Sequence, residues 1–229
     1  MTDTSFSGIK ACVFDAYGTL FDVHSAVGRH RGRLAERADA VSDTWRTKQL
    51  QYTWLRTLMG HYIPFWQITQ DALDFAMQAH GVEDPALRQD LCDAYLSLDC
   101  YPEVPGVLQA LREGGLKTAV LSNGSPDMLD AAVDSSGLSD LLDASLSVDS
   151  IGFYKPDMRV YQIACDHFGL QPAEISFQSS NAWDAYAAAS FGFQVAWCNR
   201  FGQAPERLPD SPGAEIKTLA ELPAIVIAN

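Results

Sequence analysis

The sequence predicts an α/β protein: a parallel sheet with helices on both faces, interrupted just after its first strand by an all-helical insert. Three observations lead there. A short apolar run from Ile9 to Phe14 stops at Asp15 and is followed by the turn residue Gly18. From Val23 to Leu98 the pattern is helical, with no convincing strand. From Tyr101 onward helical and strand patterns alternate, as they do when parallel strands are joined by crossover helices.

In order along the chain, Ala11, Cys12, Val13 and Phe14 read as a strand buried on both faces. In the insert, Ser42 to Tyr62 is the clearest helix: Trp45, Gln49, Tyr52 and Leu55 recur at helical spacing, and Asp43 stands at its acidic start. Pro64 separates it from a second helix, Phe65 to His80, which Gly81 ends. Asp84-Pro85 opens a third, reaching Leu98. Beyond Tyr101 the expected elements are a helix from Pro105 to Glu113 stopped by Gly114-Gly115 and a strand from Lys117 to Leu121. A helix from Pro126 to Ser135, a weaker strand from Ala144 to Val148 and a helix from Asp157 to Phe168 follow. The last three are a strand from Ile175 to Gln178, a helix from Ala182 to Phe191 and a strand from Gln194 to Cys198. Residues 1–22 and 99–229 thus form one expected core domain, and 23–98 a helical domain inserted past Asp15, where it would hang over the carboxyl ends of the strands.

Composition narrows the function classes. With 16 Lys+Arg against 29 Asp+Glu the net charge is −13. That opposes nonspecific binding to nucleic acid or to an anionic membrane, both of which need basic patches. An anionic ligand would have to be captured by a few local cations against the overall field. Met1 to Lys10 is polar, without the apolar stretch of a secretory leader, and no run approaches membrane-spanning length. Five scattered cysteines without a C-x-x-C pair read as buried thiols, not as a zinc site or a disulfide framework, and a cytoplasmic location is expected.

The chemistry-bearing residues fall at strand ends. Asp15 ends the first strand, Ser122-Asn123 follow Leu121, and Lys155-Pro156-Asp157 follow the weak strand, with Tyr161 a helical turn later. Ser179-Ser180-Asn181-Ala182-Trp183-Asp184 follow Gln178. In a parallel sheet such ends converge on one crevice near the point where strand order reverses. Asp15, Thr19, Ser122, Asn123, Lys155, Ser179, Asn181 and Asp184 are therefore expected together. Singly each has a plainer explanation: Ser122 and Ser179 are good helix caps, Lys155 is an ordinary surface charge, and Asp184 could complement a helix dipole. Their joint placement at strand ends is what argues for a site.

The series Asp15-Ala16-Tyr17-Gly18-Thr19-Leu20, Ser122-Asn123, Tyr154-Lys155-Pro156-Asp157 and Ser179-Ser180-Asn181-Ala182-Trp183-Asp184 resembles the haloacid dehalogenase superfamily, and within it the L-2-haloacid dehalogenases. The resemblance extends into the insert through Trp45-Arg46 and Tyr52-Thr53-Trp54-Leu55-Arg56, although Thr47 stands where the family carries glutamine and Ile151-Gly152-Phe153 is atypical. It implies a Rossmann-like core, a helical cap, a homodimer, and hydrolytic removal of halide from short 2-haloacids with inversion at C2, without metal or other cofactor. By the same resemblance Asp15 is the nucleophile, supported by Thr19, Ser122, Asn123, Lys155, Tyr161, Ser179, Asn181 and Asp184. Arg46 receives the departing halide, and Tyr17, Leu50, Phe65 and Trp183 line an apolar substrate pocket with Ser122 and Asn123.

These residue types suit that chemistry. A fixed carboxylate supplies an anionic nucleophile with a proximity advantage, and Lys155 nearby favours its charged form. Negative charge then moves to the halogen, where a cation such as Arg46 is the useful partner. Magnesium-dependent phosphotransferases of the superfamily usually carry a second aspartate two positions after the nucleophile; here that position is Tyr17. Asp15 and Asp184 balance Arg46 and Lys155, so a haloacid would leave the site at net −1 and a phosphate dianion without magnesium at −2. Hard cations rely on carboxylates, and few are spare. Phosphate-ester hydrolysis and a noncatalytic binding module are the alternatives.

Overall fold

The computed structural model describes residues 6–227. The first five residues of the expected core segment and of the polar N-terminal stretch, and the last two of the chain, lie outside the described residues. Strand β1 (Ala11–Phe14) is completely buried and leads through a tight turn into the two-residue strand β2 (Phe21–Asp22). Helices α1 (Ser25–Arg29), α2 (Arg31–Leu34), α3 (Ala38–Met59), α4 (Phe65–Ala79) and α5 (Pro85–Tyr95) follow, and β3 (Asp99–Cys100) pairs antiparallel with β2. The remainder alternates: α6 (Val104–Glu113), β4 (Lys117–Ser122), α7 (Pro126–Ser135), β5 (Ala144–Ser147), α8 (Met158–Phe168), β6 (Ile175–Ser179), α9 (Ala182–Phe191), β7 (Gln194–Cys198), β8 (Ala214–Ile216) and α10 (Pro223–Val226).

Six strands form one parallel sheet in the order β5-β4-β1-β6-β7-β8. The chain steps from β1 to β4 and β5 on one side, then crosses back to β6, β7 and β8 on the other. Strand order therefore reverses at β1, where a ligand crevice is expected. Phe14 is in register with Val120 and Gln178, and the Asp15 amide continues the ladder to the Gln178 carbonyl at 2.9 Å, so Asp15 stands at the last rung. Immediately beyond, the Ala16 carbonyl accepts the amides of Thr19, Leu20 and Phe21 at 3.2, 2.9 and 3.1 Å. That tight reversal needs Gly18 at φ +93°, a conformation that side chains resist.

The expected sheet and its flanking helices are present, with differences at the edges. Helix α3 starts at Ala38, earlier than Ser42, and Asp39, not Asp43, occupies its first turn. Ser42 lies within the helix, and its hydroxyl is 2.7 Å from Nδ1 of His24. The helix stops at Met59 because Gly60 adopts the left-handed conformation, and Tyr62 leaves the helix to stack on Tyr154. Helix α5 ends at Tyr95 instead of Leu98, since Arg29 holds the Ser97 carbonyl (2.6 Å) and Asp99 (2.5 Å) and turns the chain into β3. The β2–β3 ribbon and β8 were not expected: strands of two or three residues offer no periodicity to read. Cys100 is half-buried; the other four cysteines are buried, and all five are free.

Helices α3 and α4 pack on each other and touch the loops at the strand ends. Trp45 Nε1 donates to the Thr69 carbonyl (2.8 Å), the Tyr154 amide donates to Thr57 Oγ1 (3.2 Å), and the Trp66 amide donates to Ser125 Oγ (3.3 Å). Among the described residues, no helix is long and apolar enough to cross a membrane.

Candidate active site

Asp15 is held by four side chains from three parts of the chain. Its Oδ1 accepts from Lys155 Nζ (3.1 Å); its Oδ2 accepts from Asn181 Nδ2 (2.7 Å), Thr19 Oγ1 (3.1 Å) and, more weakly, Ser179 Oγ (3.4 Å). Lys155, only 1% exposed, also donates to Asp184 Oδ2 at 2.9 Å, and Tyr161 donates to Asp184 Oδ1 at 2.7 Å. The result is a buried row, Tyr161–Asp184–Lys155–Asp15, running from α8 through the α9 start to the tip of β1.

The backbone explains why these side chains meet. Thr19 Oγ1 accepts the Ser180 amide (2.8 Å), and Ser179 Oγ accepts the Asn181 amide (3.1 Å), which lock the loop after β6 onto the loop after β1. The Lys155 amide donates to Asn123 Oδ1 (3.0 Å), tying the loop after β5 to the end of β4, and the Lys155–Pro156 peptide is cis. Ser122 and Ser179 serve these turns: Ser122 Oγ accepts the Gly124 amide (3.0 Å), while Ser125 and Asn181 occupy the helix-cap positions of α7 and α9. Lys155 is no surface charge.

Charge in the row is finely set. Burial disfavours the Lys155 ammonium, yet attraction from Asp15 and Asp184 outweighs it and holds Lys155 above its ordinary value. Burial raises Asp184 above the usual carboxylate range and the Asp15 charge adds to the rise, with Lys155 opposing both. Two carboxylates share one ammonium.

Arg46 approaches from α3. Its Nη2 donates to the Tyr17 carbonyl (3.1 Å) and to Asn181 Oδ1 (3.2 Å), and its Nη1 donates to Gln49 Oε1 (2.8 Å). The Asn181 amide thus bridges Asp15 and Arg46. Arg46 forms no ion pair among the described residues; its partners are neutral. It borders a cavity of about 540 Å³ with Gly18, Leu50, Asn181, Trp183 and Phe201. Trp183 also borders an apolar groove of about 510 Å³ with Trp54, Leu58, Met158 and Leu208, whose lining includes Lys155 but neither Asp15 nor Arg46. Phe65 is buried beneath Tyr17, with ring centroids 5.8 Å apart, and Tyr95 stacks on Tyr17 at 5.7 Å.

Hydrogen bonds join Thr19, Lys155, Ser179 and Asn181 to Asp15, Asp184 and Tyr161 follow through Lys155, and Arg46 attaches through Asn181. Leu50 and Trp183 border the cavity beside Arg46, whereas Tyr17, Phe65, Ser122 and Asn123 do not line it: Phe65 packs against Tyr17, and Ser122 and Asn123 hold the turns after β4 and β5. Thr47 is exposed on α3, and Phe153 lies 3.4 Å from the Arg159 guanidinium, so neither departure from the family pattern contacts Arg46 or Asp15. Sequence reasoning missed Gln49, Tyr95 and Thr69, which lie behind Arg46; the available signal was a glutamine on the otherwise apolar stripe of α3. It also missed Arg200, whose Nη2 donates to the Thr19 carbonyl (3.0 Å) while its guanidinium lies 4.0 Å from the Tyr101 ring.

No group of three or more His, Cys, Asp or Glu side chains is disposed to hold a metal among the described residues. Lys155 Nζ sits between Asp15 and Asp184 and supplies a positive charge there. The arrangement offers a fixed carboxylate, a cation across from it, and a second carboxylate able to accept a proton.

Gly124 sets the Tyr17 wall. A Cβ there would lie 2.8 Å from Tyr17 Cε2 and 3.1 Å from both its hydroxyl and Leu129 Cδ2. With Phe65 and Tyr95 behind it, the ring has little room to yield. Gly124→Ala is expected to cost about 1–3 kcal/mol of stability in urea unfolding, as overpacked cores do.

A model of the haloacid dehalogenase-like hydrolases matches residues 9–192. The chain is 50% identical over 212 residues to an (S)-2-haloacid dehalogenase of Pseudomonas sp. strain YL, covering 92% of this chain and 91% of that one. It is 46% identical over 220 residues to (S)-2-haloacid dehalogenase 1 of Pseudomonas sp. strain CBS-3, covering 96% and 97%. The structure of the L-2-haloacid dehalogenase from Xanthobacter autotrophicus with chloropropionic acid covalently bound superposes with a TM-score of 0.88 at 38% identity, covering 94% and 97%.

Proposed function

The chain belongs to the haloacid dehalogenase-like hydrolase family, and on that premise we propose that it hydrolyses short (S)-2-haloalkanoic acids to (R)-2-hydroxy acids and halide, through an Asp15 ester and without a metal. The observation that carries this reading is the pairing of a carboxylate nucleophile, charge-balanced by Lys155 at 3.1 Å, with Arg46, a cation whose partners are all neutral. The names of the Pseudomonas relatives support the substrate class, and the covalently bound chloropropionic acid of the Xanthobacter enzyme supports the ester.

In the first step an Asp15 oxygen attacks C2 from the face opposite the halogen. The carbon–halogen bond breaks with its electron pair, the halide leaves toward Arg46, and C2 inverts once. A halide leaves unprotonated, so no general acid is required, which agrees with Tyr17 standing where related phosphotransferases carry an aspartate. In the second step water adds to Cγ of Asp15 and gives a proton to Asp184. Tyr161 holds that carboxylate, and burial raises its affinity for the proton. Backbone amides after Asp15, with Ser122 or Asn123, take the oxyanion. The Cγ–O bond then breaks with its electron pair on the C2 oxygen, Asp184 returns its proton to that oxygen, and the 2-hydroxy acid leaves with the oxygen Asp15 contributed. Asp15, regenerated with an oxygen from water, releases the second water proton to solvent.

Residues 23–98 act in this reading as a cap that brings Arg46 to the core. A cytoplasmic homodimer is part of the same proposal: the five free cysteines suit a reducing compartment, and Leu55, Leu58 and Met59 expose an apolar face on α3 that a second copy could cover.

The test is halide release from (S)- and (R)-2-chloropropionate in excess chelator, with chiral analysis of the product. Chelator-insensitive chloride release from the (S) substrate alone, giving (R)-lactate, is expected. Magnesium-dependent release of phosphate from phosphate esters, without halide release, would overturn the proposal.

A further inference from the structure

The guanidinium of Arg46 is anchored from behind by a buried polar cluster. Gln49, one helical turn along α3, is 1% exposed yet lies on the face that packs into the insert. Its orientation is determined by its partners. A guanidinium only donates, so Gln49 must turn Oε1 to Arg46 Nη1, 2.8 Å away. Its Nε2 is then left to donate, and it reaches Thr69 Oγ1 at 2.8 Å and Tyr95 OH at 3.0 Å. Thr69 can accept because its own proton goes to the Phe65 carbonyl at 2.9 Å, within α4. The Tyr95 ring is fixed in turn against Trp45 (5.0 Å) and Tyr17 (5.7 Å). One amide is thus fastened to α3, α4 and α5 at once.

We propose that Gln49 is the positioning residue for Arg46: it aims the guanidinium at the departing halide without neutralising it. This rests on the dehalogenase reading above. A carboxylate at this position would also orient Arg46, but it would cancel the charge the halide needs and could not donate to Thr69 and Tyr95. A neutral acceptor orients the cation and leaves its field intact, in keeping with the absence of any ion pair to Arg46 among the described residues. Loss of that anchor matters most where the leaving group needs most help. Chloride, smaller and a poorer leaving group than bromide, depends more on a correctly placed cation.

The experiment uses Gln49→Met, which keeps the length and removes both hydrogen-bonding functions, and Tyr95→Phe, which keeps the ring and removes only the hydroxyl. Single-turnover measurements on (S)-2-chloro- and (S)-2-bromopropionate separate ester formation from ester hydrolysis. Gln49→Met is expected to slow ester formation on the chloro acid by about 10–100-fold, the range that small misplacement of a reacting group produces. The loss on the bromo acid is expected to be several-fold smaller, with ester hydrolysis unchanged. In an Arg46→Met background the Gln49 substitution should add almost nothing. Tyr95→Phe should show the same chloride-selective loss in weaker form, and it carries the test alone if Gln49→Met fails to fold. Equal slowing on both halides, equal slowing of hydrolysis, or additivity with Arg46→Met would reduce Gln49 to a packing residue and overturn the inference. Wild-type protein releasing neither halide would instead overturn the dehalogenase reading on which it stands.

Discussion

Asp15→Asn is expected to abolish halide release, lowering the rate by about ten-thousandfold or more, as removal of a covalent nucleophile does. The substitution preserves shape, so the reason is chemical. Thr19, Ser179 and Asn181 all donate toward one oxygen of residue 15, which orients the asparagine with its carbonyl on that side. Its NH₂ then faces the Lys155 ammonium, donor against donor, where the wild type has a 3.1 Å ion pair. Among the four charged groups of the site, Arg46 and Lys155 remain against Asp184 alone. The haloacid anion should therefore bind the variant no more weakly than the wild type while turnover vanishes. Mass spectrometry of quenched enzyme gives the second readout: the wild type should carry a haloacid-derived ester on the peptide containing Asp15, and the variant none. A variant turning over within about tenfold of wild type would mean that water attacks C2 directly, and the ester mechanism would fall.

The second large effect is on stability. Lys155→Met replaces a buried ammonium by an apolar chain of similar length and leaves two buried carboxylates facing each other. Removing one member of a buried charge cluster typically costs about 3–5 kcal/mol, and that loss is expected in urea unfolding at neutral pH, together with loss of activity. The pH dependence follows from the direction of each shift. Lys155 has a folded value above its ordinary 10.5, so its contribution is fully present below 10.5 and is lost only as pH rises through the folded value. Asp184 also has a folded value above its ordinary 3.8; the folded state favours its protonated form, and that advantage is lost as pH rises through the folded value. Without Lys155 to oppose it, the Asp184 shift must grow. The stability gap between wild type and variant should therefore narrow on mild acidification, as Asp184 takes up a proton. A gap that stays constant or widens between neutral and mildly acid pH would show that the carboxylates do not feel the loss of Lys155.

Much of the architecture was legible because the forces behind it are local. The β1 run ends where Asp15 and Gly18 interrupt it, and the later strands and helices follow the period of their apolar residues to within a few positions. Strand-end placement alone puts Ser122, Asn123, Lys155, Ser179, Asn181 and Asp184 into one neighbourhood, since parallel strands share one carboxyl edge. Short pieces escaped this logic. The β2–β3 ribbon and β8 are held by pairing with partners distant in sequence, and α3 begins at the buried Ala38, a turn before the clear apolar spacing that starts at Ser42.

Roles within the neighbourhood were a different matter. A lysine after a strand is by default a solvated charge, an arginine on a helix a surface ion pair, and a glutamine on an apolar stripe an exception without meaning. Only the order β5-β4-β1-β6-β7-β8 puts the β5 loop and the α9 start on opposite sides of Asp15, so that Lys155 falls between two carboxylates. Only the packing of α3 against α4 and α5 lets Gln49 reach Thr69 and Tyr95 while holding Arg46. By itself the sequence determined which groups stand at the strand ends, because turn and strand preferences act over a few residues. Tertiary structure alone decided which of them pair, because hydrogen bonds and ion pairs in a buried site depend on distances between segments more than a hundred residues apart, such as the 140 between Asp15 and Lys155.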